Sequence, residues 1–243
     1  MEVAISISSL NFRYPSQQKF CLDSINLCVL KGERFGLFGP NGAGKTTLMS
    51  LMTGLLKPSN GEVHLFGKKT VSDVETKKLF GYVPQDFAFY SELSPEENLQ
   101  FFGAWSGLSN KEIKNRTDEL LNVLGLNDVR NRPVKTFSGG MKRRINIAIG
   151  VIHNPQVLFL DEPTAGVDVQ TRAAIIDYLK KLNTNGTTLI YTSHHLQEAQ
   201  QLCNTVALID EGKIILHNNL KKVLSEHMED GLEGLFLKLT GHA

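Results

Sequence analysis

The sequence lacks several features that would assign it to well-known classes of protein. Its three cysteines, Cys21, Cys28 and Cys203, are scattered and include no C-x-x-C pair. An odd, scattered set fits buried thiols in a reducing compartment better than a disulfide framework. There is no run of about 18 apolar residues, the length that a membrane-spanning helix needs, and residues 1–10 lack the pattern of a signal peptide. We therefore predict a cytoplasmic chain.

The sequence also lacks an excess of either charge. Its 243 residues include 26 lysines and arginines and 25 aspartates and glutamates, which gives a net charge of +1. This balance argues against an electrostatic grip on nucleic acid, so no nucleic-acid partner is expected. The length allows one large α/β domain, or a core with one sizeable inserted subdomain.

A glycine-rich loop is the most informative segment of the sequence. It fits the phosphate-binding pattern G-x-x-x-x-G-K-[ST] and reads Gly39-Pro40-Asn41-Gly42-Ala43-Gly44-Lys45-Thr46-Thr47. Gly42 and Gly44 allow backbone amides to turn toward a polyphosphate without a Cβ in the way. Lys45 adds a positive charge for the β- and γ-phosphates, and the Thr46 hydroxyl can bind Mg²⁺.

The segments on either side of this loop favour a nucleotide site over a glycine-rich surface turn. Residues 35–38 are predicted to form a short buried strand. After the loop, apolar residues recur at helical spacing, at Leu48, Leu51, Met52 and Leu55. The loop therefore opens onto a helix N-terminus, where the helix dipole favours anions.

A second candidate element is the apolar strand predicted from residue 157, which ends in Asp161 and Glu162. Ligands collect at the carboxyl ends of buried parallel strands. Asp161 is well placed to hold Mg²⁺, and Glu162 can polarise an attacking water. A solvated turn is the alternative, which the phosphate-binding loop elsewhere in the chain disfavours.

Three further positions have two interpretations each. Tyr14 precedes a proline and either caps its own strand or stacks on adenine. Gln85, after the strand predicted at residues 80–83, is either a plain loop amide or a group beside the metal and the attacking water. His194, at the end of the strand predicted from residue 188, is either half-buried or bonded to a γ-phosphate.

Ser138, Gly139 and Gly140 begin another predicted helix, with Ser138 as its N-cap. The free N–H groups there form either a second anion-binding end or an ordinary capped helix with a solvated basic first turn. Upstream, capping boxes at residues 94–97 and 109–112 predict a helical insertion in the α/β core. Its aromatic residues are core by default, although so dense a cluster could also leave part of itself exposed to a partner.

Together these motifs resemble the ATP-binding cassette ATPases over residues 2–217. The resemblance rests on the order of the phosphate-binding loop, Gln85, the serine-glycine-glycine signature, the two carboxylates, residues 165–168 and His194. It implies an α/β P-loop NTPase core with a mostly parallel sheet, an N-terminal antiparallel β subdomain and an inserted α-helical subdomain. The domain is expected at residues 1–217 with the insertion at about 87–155, and a C-terminal helical tail at 218–243.

The resemblance also implies residue roles. In that family Gln85 joins Thr46 and Asp161 around Mg²⁺, Glu162 is the catalytic base, and His194 contacts the γ-phosphate of ATP. The adenine stacks on the aromatic ring at the position of Tyr14. Residues 138–140 bind the nucleotide held by the other subunit, so that ATP closes a head-to-tail dimer, and Asp168 lies in the loop that links the two sites.

The sequence departs from the family pattern in three respects. The signature reads FSGGM at residues 137–141 where LSGGQ is commonest, and Val167 replaces a usual leucine. A second histidine, His195, directly follows His194. We assign the role to His194 because Glu198 then falls at the family's usual offset.

Residues 141–144 and the tail at 232–241 are similar to the drug- and polysaccharide-exporter ATPases, whose membrane subunits are separate chains. This predicts an ATPase subunit that is peripheral on the inner face of the cell membrane. Its expected partners are a transmembrane permease subunit and a second copy of itself or a paralogous cassette. An importer cassette and a soluble ATP-driven switch without a transport role are the alternatives.

Overall fold

Two β-sheets of different character organise this chain in a computed structural model, which describes residues 2–15, 17–69, 74–193, 195–228 and 231–240. The strands are β1 (Val3–Phe12), β2 (Leu22–Leu30), β3 (Arg34–Phe38), β4 (Asn60–Leu65), β5 (Lys68–Lys69), β6 (Phe80–Val83), β7 (Val157–Asp161), β8 (Thr188–Thr192), β9 (Thr205–Asp210) and β10 (Lys213–Asn219). The first sheet is antiparallel, in the order β2-β1-β4-β5. The second has the order β10-β9-β3-β8-β7-β6 and is parallel except between β9 and β10.

Helices cover the parallel sheet and fill the segment between β6 and β7. They are α1 (Lys45–Met52), α2 (Val74–Lys77), α3 (Pro95–Trp105), α4 (Asn110–Val123), α5 (Gly139–Val151), α6 (Val169–Thr184), α7 (Leu196–Leu202), α8 (Leu220–His227) and α9 (Leu232–Thr240). Short 3₁₀ turns lie at Asn127–Val129 and Val134–Thr136. Within the described ranges, no helix is both long and apolar enough to cross a bilayer.

The predicted fold class is confirmed, with a mostly parallel core sheet, an antiparallel N-terminal sheet and helices inserted between β6 and β7. Both predicted capping boxes form. Ser94 accepts a hydrogen bond from the Glu97 N–H, and Ser109 accepts one from the Glu112 N–H. The predicted apolar face of α1 was wrong at one position: Leu55 lies beyond the helix and is 65% exposed.

The parallel strands β7 and β8 are buried along their whole length, and their interiors are apolar, as is typical of a parallel sheet covered on both faces. In a sheet of this kind the loops that follow the strands meet at one edge. The loops after β3, β6, β7 and β8 therefore converge, and they contain the phosphate-binding loop, Gln85, Glu162 and His195. The topology thus gathers candidate residues that are distant in sequence.

The helix α5 packs directly on β6, and Gly81 makes this contact possible. A Cβ added at Gly81 would lie 1.9 Å from the carbonyl oxygen of Gly150, which is backbone and cannot rotate away. We expect Gly81→Ala to lower the free energy of unfolding by about 1–3 kcal/mol, the usual cost of overpacking. Urea unfolding curves measure this change.

Gly103 in α3 provides the matched control. Its added Cβ would approach side-chain atoms of Ile113, the nearest at 2.8 Å, rather than a backbone carbonyl. Alanine is also favoured over glycine inside a helix. We expect Gly103→Ala to change the unfolding free energy by less than about 1 kcal/mol. Equal losses for the two variants would contradict this account of the α5 contact.

Candidate nucleotide-binding site

The loop between β3 and α1 is held close to the sheet by its glycines. A Cβ at Gly39 would lie 2.0 Å from the Ile209 carbonyl oxygen, so this position has no room for a side chain. Gly44 has a φ of 107°, in the region that glycine tolerates and other residues rarely adopt. Lys45 follows at the first residue of α1. Its Nζ donates to the carbonyl oxygens of Gly39, at 2.7 Å, and Pro40, at 2.9 Å.

This loop forms one wall of a cavity of about 370 Å³. The residues that line the cavity come from three converging loops, from the start of α1 and from the residue before β2: Cys21, Asn41, Gly42, Gly44, Lys45, Thr46, Thr47, Gln85 and Glu162. Gln85 and Glu162 are 77 residues apart, and the Gln85 Nε2 donates to Glu162 Oε2 at 3.4 Å. The structure therefore brings the phosphate-binding loop, Gln85 and Glu162 around one space.

Asp161 lies at the end of β7, with only 1% of its surface exposed. One carboxylate oxygen, Oδ1, accepts a hydrogen bond from Thr192 Oγ1 at 2.6 Å. The other, Oδ2, is buried and has no hydrogen-bond partner among the residues that the structure describes. A buried carboxylate oxygen without a partner is costly, and a hard cation satisfies it well. Mg²⁺ is typically held by one or two carboxylates together with substrate phosphates, so the donor set of Thr46, Gln85 and Asp161 fits this ion.

Glu162 has a backbone conformation that is uncommon for its residue type. Its φ is 51°, in the left-handed region. The Glu162 N–H donates to the carbonyl oxygen and to the hydroxyl of Thr192, at 3.2 and 3.1 Å, which holds the residue there. Side chains kept in sparsely populated backbone conformations are concentrated at functional sites. The left-handed turn directs the carboxylate into the cavity rather than along the strand.

The cavity has one buried cation opposite its carboxylates. Burial lowers the pKa of Lys45 below the ordinary lysine value, whereas the charges of Glu162 and Asp161 act in the opposite direction. The ammonium group is therefore incompletely compensated by the protein. A bound polyphosphate would supply the missing negative charge.

Tyr14 lies beside the cavity without lining it. Its hydroxyl group is 3.1 Å from Thr47 Oγ1, and its ring packs edge-on against Phe12 at a centroid distance of 4.8 Å. Cys21 lines the same part of the cavity, and its Sγ is 3.6 Å from Thr47 Oγ1. The sequence offered no motif for Cys21, because its place in the cavity depends on how β2 packs against α1.

Ser138, Gly139 and Gly140 do not line this cavity. Ser138 caps α5 and accepts a hydrogen bond from the Met141 N–H, and Gly140 lies against Thr171 of α6. Asp168 caps α6 by accepting from the N–H and the hydroxyl of Thr171, at 2.8 and 2.7 Å. The structure therefore places the signature at the N-terminus of α5, beside the cap of α6 and away from this cavity.

The histidine pair lies only partly within the described residues. His194 is outside them. His195 is exposed, and its N–H donates to Ser193 Oγ at 2.9 Å.

A buried hydrogen-bond network lies beneath these loops. Glu198 of α7 is 5% exposed, and one of its carboxylate oxygens accepts from the Thr164 hydroxyl at 2.6 Å and from the Tyr191 hydroxyl at 3.1 Å. It joins the helix after the histidine pair to the loop after Glu162. In the sequence, Glu198 served only to choose between His194 and His195. Nothing in the sequence shows that Glu198 lies beside Thr164.

The family model for the ABC transporter matches residues 22–165, more than half of the chain. The chain belongs to the ABC transporter family. It contains the ATPase domain of that family, and the phosphate-binding loop, Gln85 and Glu162, three of the features that resembled the cassette ATPases, lie around the cavity.

The curated relatives include resistance and transport proteins. The chain is 42% identical over 209 residues to the linearmycin resistance ATP-binding protein LnrL of Bacillus subtilis (strain 168), which covers 84% of this chain and 66% of that protein. It is 35% identical to the daunorubicin resistance ATP-binding protein DrrA3 of Streptomyces coeruleorubidus, over 96% of this chain and 73% of that one. The chain thus spans about two thirds of the length of LnrL.

Solved structures share the whole architecture. An ATP-binding subunit of an ABC transporter superposes with a TM-score of 0.89 at 26% identity, over 97% of this chain and 99% of that chain. A dimeric ATP-binding cassette in a post-hydrolysis state, bound to ADP and Pi, superposes with a TM-score of 0.81 at 27% identity, over 89% of this chain and 98% of that chain.

Proposed function

We propose that this chain is the ATP-hydrolysing subunit of an exporter and that it couples a cycle of ATP binding and hydrolysis to transport by a separate membrane subunit. The observation that carries the proposal is the cavity in which the phosphate-binding loop meets Gln85 and Glu162. The resistance ATP-binding proteins among its relatives support the export direction. In this proposal the chain is peripheral on the inner face of the membrane.

Within the cavity, residues 39–47 bind the phosphates through their amides and through the ammonium group of Lys45. Thr46, Gln85 and Asp161 hold Mg²⁺, which would neutralise charge on the phosphates. Glu162 accepts a proton from the attacking water, and Gln85 orients the Glu162 carboxylate and this water. Tyr14 stacks on the adenine. The assignment of His194 to the γ-phosphate stays a prediction from the sequence.

The signature belongs to a second nucleotide site. Residues 138–140 lie outside the cavity of their own chain, and their helix N-terminus offers N–H groups to an anion. We propose that this end binds the ATP held by a second copy or by a paralogous cassette. The structural neighbour with ADP and Pi is a dimer, which supports this arrangement. Asp168, beside the signature, would then lie at the contact between the two sites.

An exposed aromatic surface offers a docking site for the membrane subunit. We define it by four side chains that are 41–83% exposed: Phe87, Tyr90, Phe101 and Trp105. The ring of Phe101 lies 4.8 Å from that of Tyr90 and 6.4 Å from that of Trp105. Phe87 stacks on Phe89, the residue before Tyr90. Monomeric proteins rarely expose large contiguous apolar groups. Because Phe87 is two residues after Gln85, a partner bound to this surface would contact the loop that contains Gln85.

A double variant tests this docking. We expect the tagged wild-type chain, purified with ATP and detergent from its native cells, to bring down a polytopic membrane protein. Changing Phe101 and Trp105 to serine is expected to reduce its recovery about tenfold or more, since buried aromatic residues often contribute 2 kcal/mol or more to binding. Mass spectrometry identifies the partner and measures the recovery.

Leu55→Ser is the matched control, since Leu55 is also an exposed apolar residue but lies outside the aromatic surface. Its recovery of the membrane protein should equal that of the wild type. Recovery of soluble proteins or RNA alone, together with an ATP-dependent dimer, would favour the soluble-switch alternative.

A further inference from the structure

Arg143 is a basic residue whose buried position the sequence does not indicate. It lies on α5, five residues after Ser138, and only 4% of its surface is exposed. Its guanidinium group donates to the carbonyl oxygens of Pro84 and Gln85, at 3.4 and 3.0 Å, and to that of Ala165, at 3.5 Å. One side chain therefore contacts both the loop after β6 and the loop after β7.

Both of these loops carry candidate catalytic residues. Gln85 is in the first, and its carbonyl oxygen is the acceptor at the shortest of the three distances. In the second, the Ala165 N–H donates to the Glu162 carbonyl oxygen at 3.1 Å, which closes a tight turn. Arg143 binds the far end of that turn. Its contacts therefore restrain the backbone behind both Gln85 and Glu162.

Burying this guanidinium group has a cost that the surroundings only partly offset. Burial lowers the pKa of Arg143, whereas the charges of Glu162 and Asp86 raise it. Arginine remains protonated in proteins, so the cation persists, and its Nε has no hydrogen-bond partner within the described part of the chain. A buried charge that is retained at such a cost is better explained by a specific role than by stability.

The same guanidinium group also contacts the aromatic surface. Its central carbon lies 4.8 Å from the centroid of the Phe87 ring, within the range of a cation–π interaction. Phe87 is 43% exposed, so a partner that binds the aromatic surface would contact its ring. Arg143 thus connects an exposed ring to the two loops that line the nucleotide cavity.

The neighbouring arginine shows that this arrangement is specific to position 143. Arg144 donates to the carbonyl oxygens of Leu124 and Gly125, at 2.8 and 3.3 Å, within the helical insertion. Its contacts hold the insertion together and reach neither nucleotide loop. Of the two adjacent arginines, only Arg143 faces the site.

We propose that Arg143 is a positioning residue that aligns Gln85 with Glu162 and makes their alignment depend on the position of Phe87. This inference rests on the proposed ATPase function. It assigns Arg143 no contact with ATP, because its hydrogen bonds and its ring contact involve no residue of the phosphate-binding loop. Its loss should therefore affect turnover much more than ATP binding.

Two variants separate charge from geometry. We expect Arg143→Met to lower kcat for ATP at least tenfold while the Kd for ATP changes less than twofold. Arg143→Lys keeps the charge but loses the planar fork that binds several carbonyl oxygens at once. It should therefore recover only part of the lost kcat. Steady-state kinetics and equilibrium binding of ATP measure the two quantities.

Arg116→Lys is the matched control. Arg116 also donates to two carbonyl oxygens, those of Val151 at 2.9 Å and Ile152 at 3.2 Å, at the opposite end of α5. Its replacement removes the same kind of contact away from the nucleotide loops. We expect its kcat to stay within twofold of the wild type. An equal loss of kcat in Arg116→Lys and Arg143→Lys would overturn the proposal.

A second readout does not depend on hydrolysis. Trp105 is the only tryptophan in the sequence, and it lies on the aromatic surface. We expect ATP with Mg²⁺ to change the emission of Trp105 in the wild type, and at least half of that change to be lost in Arg143→Met. An unchanged response in a variant that binds ATP would overturn the proposal. A wild type that shows the emission change and yet never hydrolyses ATP would contradict the proposed function instead.

Phe87→Leu tests the other end of the contact if Arg143→Met does not fold. The ring is partly exposed, so its loss should leave the fold intact. We expect kcat to fall about threefold with the Kd for ATP unchanged, because a cation–π contact contributes roughly 0.5–1 kcal/mol at a partly exposed site. An unchanged kcat in Phe87→Leu would overturn the link between Phe87 and turnover.

Discussion

Replacing Glu162 with glutamine should slow ATP hydrolysis by about two to four orders of magnitude, the usual contribution of a general base. Glutamine has nearly the size and shape of glutamate, so the side chain can remain beside Gln85. The amide, however, cannot accept a proton from water. ATP binding should persist, because the phosphate-binding loop and Lys45 are unchanged. Single-turnover release of phosphate measures the loss.

The same variant should accumulate an ATP-bound dimer. A ligand that binds only the closed state stabilises that state by mass action, and unhydrolysed ATP stays bound. Size-exclusion chromatography with ATP and Mg²⁺ should show a dimer for Glu162→Gln under conditions in which the wild type returns to a monomer. A Glu162→Gln protein that turns over ATP at the wild-type rate would contradict the assignment of the base.

A second glutamate with a left-handed backbone provides the control. Glu211 has a φ of 44° and lies exposed in the turn between β9 and β10. Glu211→Gln removes a negative charge from a similar backbone conformation, but outside the residues that line the cavity. We expect its hydrolysis rate to match the wild type. The comparison separates the position of the Glu162 carboxylate from any general effect of lost charge.

The sequence was sufficient to predict the parts of the site that lie directly after strands. Residues 39–47, Gln85 and Glu162 each follow an apolar segment that the structure shows as a strand of the parallel sheet. Because the carboxyl ends of such strands meet at one edge, each candidate could be located from local patterns. The α/β core follows from the same alternation of strands and helices, whereas the antiparallel N-terminal sheet was expected only from the family resemblance.

The residues behind the site could not be predicted in this way. Local sequence places Arg143 on a basic first turn that would ordinarily be solvated, yet it is buried against two loops. Glu198 pairs with Thr164 across 34 residues of sequence. Such contacts depend on how the helices pack on the sheet. An amphipathic pattern predicts which face of a helix is buried, but not which residues that face contacts. The left-handed backbone of Glu162 likewise depends on its bonds to Thr192 of the neighbouring strand.

Replacing Lys45 is expected to have the second large effect, on binding rather than on turnover. A hydrogen bond to a charged group contributes about 1.5–3 kcal/mol, and each 1.4 kcal/mol corresponds to a factor of ten in Kd. We therefore expect Lys45→Ala to weaken ATP binding by about 10- to 150-fold. Lys45→Met keeps most of the aliphatic part of the side chain and removes the ammonium group. A similar loss of ATP affinity in this variant would assign the effect to the ammonium group rather than to the space that alanine leaves empty. Calorimetry or a fluorescent ATP analogue measures both.

The pH dependence of binding distinguishes this charge from the rest of the site. Burial lowers the pKa of Lys45 below its ordinary value, and it is the protonated form that attracts phosphate. Affinity for ATP should thus fall as the pH rises through that lowered pKa, at a lower pH than for an exposed lysine. Lys45→Met has no group there to titrate, so its weaker affinity should not show this alkaline fall. An equal loss of ATP affinity at alkaline pH in wild type and Lys45→Met would contradict the role of Lys45. A Kd of Lys45→Met for ATP within twofold of the wild-type value would contradict it as well.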